Sequence, residues 1–158
     1  MRWDPHYEPS SIQPDRAVLY SGTSVATAAA EVWQAGRIFR PRQDSPVVVR
    51  FTPTRTLKLL DLTAPSKWAI RNGAFADLPF AAKDVCRAWS RLILDEAPSD
   101  LDGLLSPSTV TGLNVTLFPR GCDAISHGAP DQLTPASDPL VTEVLRIIAK
   151  QIGFKFDG

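Results

Sequence analysis

The sequence contains few of the residues from which disulfide frameworks and metal sites are built. It has two cysteines and two histidines in 158 residues. Cys86 and Cys122 form no CxxC pair, and His6 and His127 have no helical i,i+4 spacing. Neither a disulfide framework nor a metal site is therefore predicted. Reduced thiols in a cytoplasmic protein are the simplest interpretation.

The chain also lacks an excess charge and a long apolar run. Seventeen basic and 17 acidic residues give a formal net charge of zero, so no long-range field favours direct binding to nucleic acid or to an anionic membrane. No apolar run approaches the roughly 18 residues of a membrane span. The first residues contain no apolar export segment. We expect a soluble, cytoplasmic protein that contacts neither nucleic acid nor membrane.

Three common catalytic motifs are missing as well. The chain contains no GxxxxGK[ST] or GxGxxG phosphate loop and no GxSxG nucleophile elbow. Nucleotide kinases, Rossmann enzymes and α/β-hydrolases therefore lose their main support. Cys86 lies within an amphipathic segment, and we expect it to be a buried apolar residue, not a nucleophile.

The hydrophobic pattern predicts a single α+β domain. Hydrophobic content is 44% and charged content 22%, as in ordinary globular proteins. Strands are predicted at 17–20, 46–51, 56–63, 101–105 and 114–118, and helices at 24–35, 68–72, 79–95 and 138–153, with a loop at 121–137. Gly36 is expected to end the first helix, and Asp138 is expected to cap the last one, with Pro139 at its first position. Trp89 is expected to be buried on the apolar stripe of the third. Because helices and strands do not alternate strictly, the α+β class is favoured over a doubly wound sheet.

One carboxylate lies in an unusual run of small residues. Between Ala26 and Glu31 the sequence has five small residues and one acid. Small side chains let another backbone, or a ligand, come close, although a lone helical carboxylate is more often solvated. Arg2, Tyr20 and Ser108 are further polar candidates at strand ends and turns. Each has an ordinary explanation of its own, as a chain terminus, a core tyrosine and the start of a turn.

Taken together, four segments resemble the RES-domain family, which is named for an arginine, a glutamate and a serine. They are Arg-Trp-Asp-Pro at 2–5, Val-Leu-Tyr at 18–20 with the following helix, Asp-Gly-Leu-Leu-Ser-Pro-Ser at 102–108, and Asn-Val-Thr-Leu-Phe at 114–118. The resemblance is strongest over residues 2–120. It implies a fold similar to the ADP-ribosyltransferases, with a mixed β-sheet core and flanking helices in one compact domain.

The resemblance also implies a function. Most characterised members look like toxins of bacterial toxin–antitoxin pairs that consume NAD⁺ by cleaving its nicotinamide–ribose bond, as glycohydrolases or phosphorylases. An Xre-type antitoxin would neutralise the toxin in an oligomeric complex. NAD⁺ would be a substrate, with no cofactor and no metal. Two alternatives stay open: ADP-ribosylation of a protein target, and a non-catalytic domain that binds an antitoxin or another partner.

Four residues of the family's site carry over by position. Glu31 and Ser108 are expected to be catalytic, while Arg2 is expected to bind the pyrophosphate and Tyr20 to lie against the nicotinamide ring. Two features depart from the family pattern. Members usually have a further strand with tyrosine and arginine before RWDP, which this chain lacks or which lies upstream of its first residue. Ser106 stands where a tyrosine is usual.

Overall fold

The computed structural model describes residues 2–9, 12–96, 98, 100–125 and 130–158. Within them, the strands are β1 Leu19–Gly22, β2 Ile38–Phe39, β3 Val47–Arg50, β4 Leu59–Asp61, β5 Gly103–Pro107, β6 Leu113–Leu117, β7 Gln132–Pro135 and β8 Lys155–Phe156. The α-helices are α1 Val25–Trp33, α2 Trp68–Arg71, α3 Lys83–Glu96, α4 Pro119–Cys122 and α5 Pro139–Ile152. A mixed sheet with flanking helices confirms the predicted α+β class.

The main sheet has four strands in the order β1-β6-β5-β4. Strand β5 is parallel to β4 and antiparallel to β6, which is antiparallel to β1. Tyr20 lies opposite Thr116, and Asn114 lies between Gly22 and Ser106. Because side chains alternate between the two faces of a strand, these residues share one face of the sheet.

The first core covers that face. Trp3, Leu78 and Cys86 are buried there with Leu104 of β5, so the prediction of a buried Cys86 is confirmed. Trp89 is only partly buried, because it lies at the margin of this cluster, edge to face with Trp68 at 5.9 Å between ring centroids. The helix predicted from residue 79 begins at Lys83, since residues 78–80 form a 3-10 turn.

A second core lies between α1 and α5. Ala29 and Phe39 pack there against Leu145, Ile148 and Ala149. The Asp138 carboxylate caps α5 by accepting hydrogen bonds from two backbone N–H groups, and the helix ends at Gly153. The predicted bounds of this last helix are therefore confirmed. No helix of the described residues has the length and apolarity needed to cross a membrane.

Two local predictions are wrong. The expected loop at 121–137 contains the end of α4 and strand β7, which pairs antiparallel with β3. Most residues of β7 are exposed, so its sequence lacks the apolar alternation of a half-buried strand. Gly36 does not cap α1, whose C-cap is Gln34, and the left-handed backbone after the helix is at Arg37, with φ of 50°. His127 lies outside the described residues.

Candidate functional site

Helix α1 brings Glu31 close to the main sheet. Ser24 caps the helix by accepting a hydrogen bond from the Thr27 amide at 3.1 Å. A Cβ atom at residue 22 would lie only 2.6 Å from the backbone nitrogen of Ala28, so the glycine in β1 permits this close approach. Glu31 is half-buried, one residue beyond the fully buried Ala30.

Ser108 lies in the turn between β5 and β6. Its Oγ donates to Glu31 Oε1 at 2.7 Å, and it accepts from the amides of Val110 at 3.0 Å and Thr111 at 3.2 Å. A hydroxyl has one proton and two acceptor lone pairs. Since two backbone amides already donate to this oxygen, the Ser108 proton is directed to the carboxylate.

The same turn is fitted to α1. Gly112 has φ of +70°, and a Cβ atom there would lie 2.2 Å from Thr27 Oγ1. A larger residue would be strained at this backbone angle and would collide with the helix. The turn and the helix therefore pack directly on one another, which fixes Ser108 relative to Glu31.

Asn114 is a third member of the site, and it was not among the predicted residues. Its Nδ2 donates to Glu31 Oε1 at 2.8 Å, the same oxygen that Ser108 contacts. Glu31 Oε2 accepts no hydrogen bond from a described residue. A signal was present in the sequence, since Asn114 is the one amide side chain in the otherwise apolar or hydroxyl-bearing run Leu-Asn-Val-Thr-Leu at 113–117.

Tyr20 lies on the same face of the sheet as Asn114. Its hydroxyl is buried and makes no hydrogen bond with a described residue. Burial raises the pKa of Tyr20 well above its ordinary value, and the negative charge of Asp4 acts in the same direction. The phenol is therefore neutral at physiological pH. The hydroxyls of Ser106 and Thr116, on the same face, are likewise buried without a described partner.

Arg2 contacts residues of the first core. Its Nη1 donates to the carbonyl of Ala81, just before α3, and lies 3.7 Å from the sulfur of Cys86. No hydrogen bond among the described residues joins it to Glu31 or Ser108. The structure thus brings two of the predicted residues, Glu31 and Ser108, into direct contact and adds Asn114 to them.

Two clefts in the described surface do not include Glu31. The cleft of about 220 Å³ has Phe118 in its lining, and the cleft of about 390 Å³ has Arg40 in its lining. The described residues also contain no group of three or more His, Cys, Asp or Glu side chains placed to share a metal ion.

Comparison with known proteins identifies the family. A model of the RES domain matches residues 1–138. The chain belongs to the RES-domain family. The RES domain is the family of the toxins of toxin–antitoxin systems. The family is associated with NAD-related enzymatic toxins. No curated protein and no solved structure gives a significant match.

The match covers the whole candidate site of this RES domain. Glu31, Ser108 and Asn114 all lie within residues 1–138, whereas α5 begins at Pro139, directly after the matched region. Helix α5 nevertheless packs against α1, which carries Glu31. Chemically, the site offers a carboxylate that is held through one oxygen by two donors and has its second oxygen free of described partners.

Proposed function

We propose that this RES domain is an intracellular toxin that cleaves the nicotinamide–ribose bond of NAD⁺, with Glu31 as the catalytic carboxylate. The observation that carries the proposal is the pair of hydrogen bonds from Ser108 and Asn114 to Glu31 Oε1. They hold a half-buried carboxylate at the end of the main sheet, in a chain of a family associated with NAD-related toxins.

The reaction suits a fixed carboxylate. When the bond between ribose C1′ and the pyridinium nitrogen breaks, its electron pair stays with nicotinamide, which leaves as a neutral molecule. The ribose becomes an oxocarbenium-like cation, and water or phosphate then adds to C1′ and loses a proton. A carboxylate stabilises such a cation, as it does in glycoside hydrolysis. One preorganised group of this kind contributes about 3–4 kcal/mol, or ~10²–10³ in rate.

The other predicted residues would bind the substrate. Arg2 Nη1 donates a hydrogen bond to the Ala81 carbonyl. The Nη2 and Nε groups of Arg2 donate to no described residue. We propose that they meet the pyrophosphate of NAD⁺, for which a guanidinium is better shaped than an ammonium group. Tyr20 shares its sheet face with Asn114. In this proposal its neutral ring packs against the nicotinamide. Ser108, whose proton and lone pairs are already used within the protein, contributes by holding Glu31.

The decisive variant is Glu31→Gln. Glutamine keeps an oxygen that can accept from Ser108 and Asn114, so the variant removes the charge and little else. We expect nicotinamide release from NAD⁺ to fall by roughly 10²-fold or more, measured with purified protein. Glu143→Gln is the matched control, because Glu143 is exposed on α5 and forms an ion pair with Arg146 of the same helix. Full activity of Glu31→Gln would remove Glu31 from the reaction.

The acceptor of the ADP-ribose group can be read in the same assay. ADP-ribose as product indicates attack by water, and a phosphorylated ADP-ribose indicates attack by inorganic phosphate. Labelled protein would instead support the alternative of ADP-ribosyl transfer to a side chain.

A protein partner is the second proposal, and an exposed apolar stripe favours it. Leu140, Val144 and Ile147 lie at helical spacing on α5 with exposed fractions of 80%, 48% and 46%. Exposed apolar patches of this kind mark interaction surfaces. We propose that an Xre-type antitoxin binds the protein in an oligomeric complex. Should wild type release no nicotinamide yet form such a complex, the non-catalytic binding function replaces the enzymatic one.

A further inference from the structure

The position of Asn114 is fixed by the main sheet from both sides. Asn114 lies in β6, an inner strand, with β1 on one side and β5 on the other. Its direct neighbours across the sheet are Gly22 and Ser106. Both are small, so the amide has free access to the helix above this end of the sheet.

The two donors to Glu31 come from different elements. Ser108 belongs to the turn after β5 and donates at 2.7 Å, whereas Asn114 belongs to β6 and donates at 2.8 Å. Both reach Oε1. A carboxylate held by one donor can rotate and exchange its oxygens, but two donors converging on one oxygen oppose that rotation. Oε2 is thereby distinguished from Oε1.

We infer that Asn114 is a positioning residue that, together with Ser108, orients Glu31 so that Oε2 faces the developing cation of the substrate. This inference rests on the proposed NAD⁺ cleavage. Asn114 itself need not touch the substrate. Its amide acts through the orientation of Glu31, and preorganisation of a charge is effective only while its direction is fixed.

The inference requires a donor at residue 114, not merely a side chain of similar size. Asn114→Ala removes the donor and leaves Ser108. Asn114→Asp keeps the shape but places a second carboxylate against Glu31, which repels it. We expect kcat to fall roughly 10- to 100-fold in Asn114→Ala, as for loss of a hydrogen bond to a charged group. A larger fall is expected in Asn114→Asp, with KM for NAD⁺ little changed in both.

A readout that a structural role would not move is the pH dependence of Asn114→Asp. Among the described residues, the titratable side chain that contacts residue 114 is Glu31. Two adjacent carboxylates share a proton readily, and the carboxyl group introduced at residue 114 can again donate to Glu31 once it is protonated. The activity of Asn114→Asp relative to wild type should therefore rise as the pH is lowered from about 8 to about 5.

The matched control is Asn72→Asp, since Asn72 is exposed and donates to the Trp68 carbonyl, away from the site. It should have wild-type activity at every pH. Equal kcat in wild type and both Asn114 variants, with wild type active, would overturn the inference and leave the proposed function intact. A fall in activity that follows the melting temperature, with no recovery of Asn114→Asp at low pH, would also overturn it. If wild type releases no nicotinamide, both fail.

Discussion

Replacing Asp102 by asparagine tests how the strand that carries Ser108 is anchored. Asp102 directly precedes β5, and Ser108 directly follows it. The Asp102 carboxylate is fully buried. It accepts hydrogen bonds from two nitrogens of Arg55, each at 2.7 Å, and from the Lys58 amide at 2.8 Å. The Arg120 guanidinium lies 3.5 Å away. A buried charge thus fixes the beginning of β5.

The expected loss of stability follows from the pKa of this carboxyl. The hydrogen bonds from Arg55 hold the pKa of Asp102 down at about 2, whereas an unfolded aspartate has a pKa of about 3.9. The difference between these two pKa values corresponds to about 2–3 kcal/mol of folding stability. The Arg55 side chain is 41% exposed, so solvent screens its interaction with Asp102. We therefore expect the charge of Asp102 to contribute about 2 kcal/mol to the free energy of unfolding.

The sign of the pH dependence is fixed by the direction of the shift. A lowered pKa in the folded state stabilises the protein fully above about pH 4, and this stabilisation is lost as the pH falls through about 2. At neutral pH, Asp102→Asn should therefore lower the free energy of unfolding by about 2 kcal/mol and the melting temperature by roughly 4–8 °C. At about pH 3, roughly half of the difference from wild type should remain.

Urea unfolding at pH 7 and at pH 3, followed by the fluorescence of the four tryptophans, measures the free energy of unfolding. Thermal unfolding followed by the same signal measures the melting temperature. Asp100→Asn is the control, because Asp100 pairs with the exposed Lys58 side chain at the surface and such pairs contribute little. The reasoning is refuted if Asp102→Asn is as stable as wild type at pH 7. It is refuted equally if the difference between the two proteins is the same at pH 7 and pH 3.

Two further predictions concern the predicted binding residues. Arg2→Lys keeps the charge but loses the planar fork, so NAD⁺ binding measured by calorimetry should weaken by about 10-fold; unchanged affinity would exclude Arg2 from the site. The hydrogen bond to Asp95 raises the pKa of Tyr7, and burial raises the pKa of Tyr20. An absorbance titration follows the ionisation of both tyrosines. Tyr20→Phe should remove the transition that occurs at the higher pH. A transition of Tyr20 at the pH of an unperturbed tyrosine would contradict its burial.

Local signals predicted the elements whose stability is local. The last helix was found from a capping aspartate, a proline at its first position and an apolar stripe of period 3.6, all within residues 138–153. The first helix was predicted to start at residue 24, and Ser24 is its N-cap in the structure. In both helices, the capping residue directly precedes the helix in sequence.

Elements that depend on distant partners could not be found in this way. Strands β2 and β8 have two residues each and pair with one another across more than a hundred residues of chain. Strand β7 exists because it pairs with β3. Asn114 was missed for the same reason, since its role depends on the register of three strands and on the position of α1.

The small residues before Glu31 show what the structure adds to the interpretation from sequence. The sequence allowed two explanations, that another backbone or that a ligand comes close to them. In the structure, Ala29 and Ala30 are buried, with exposed fractions of 6% and 0%, and the neighbouring Gly22 lets β1 approach the helix backbone. These residues bring α1 so close to the sheet that the Glu31 carboxylate reaches donors 77 and 83 residues away. A larger side chain at residue 30 would act on the site by moving the helix, and with it Glu31, away from Ser108 and Asn114.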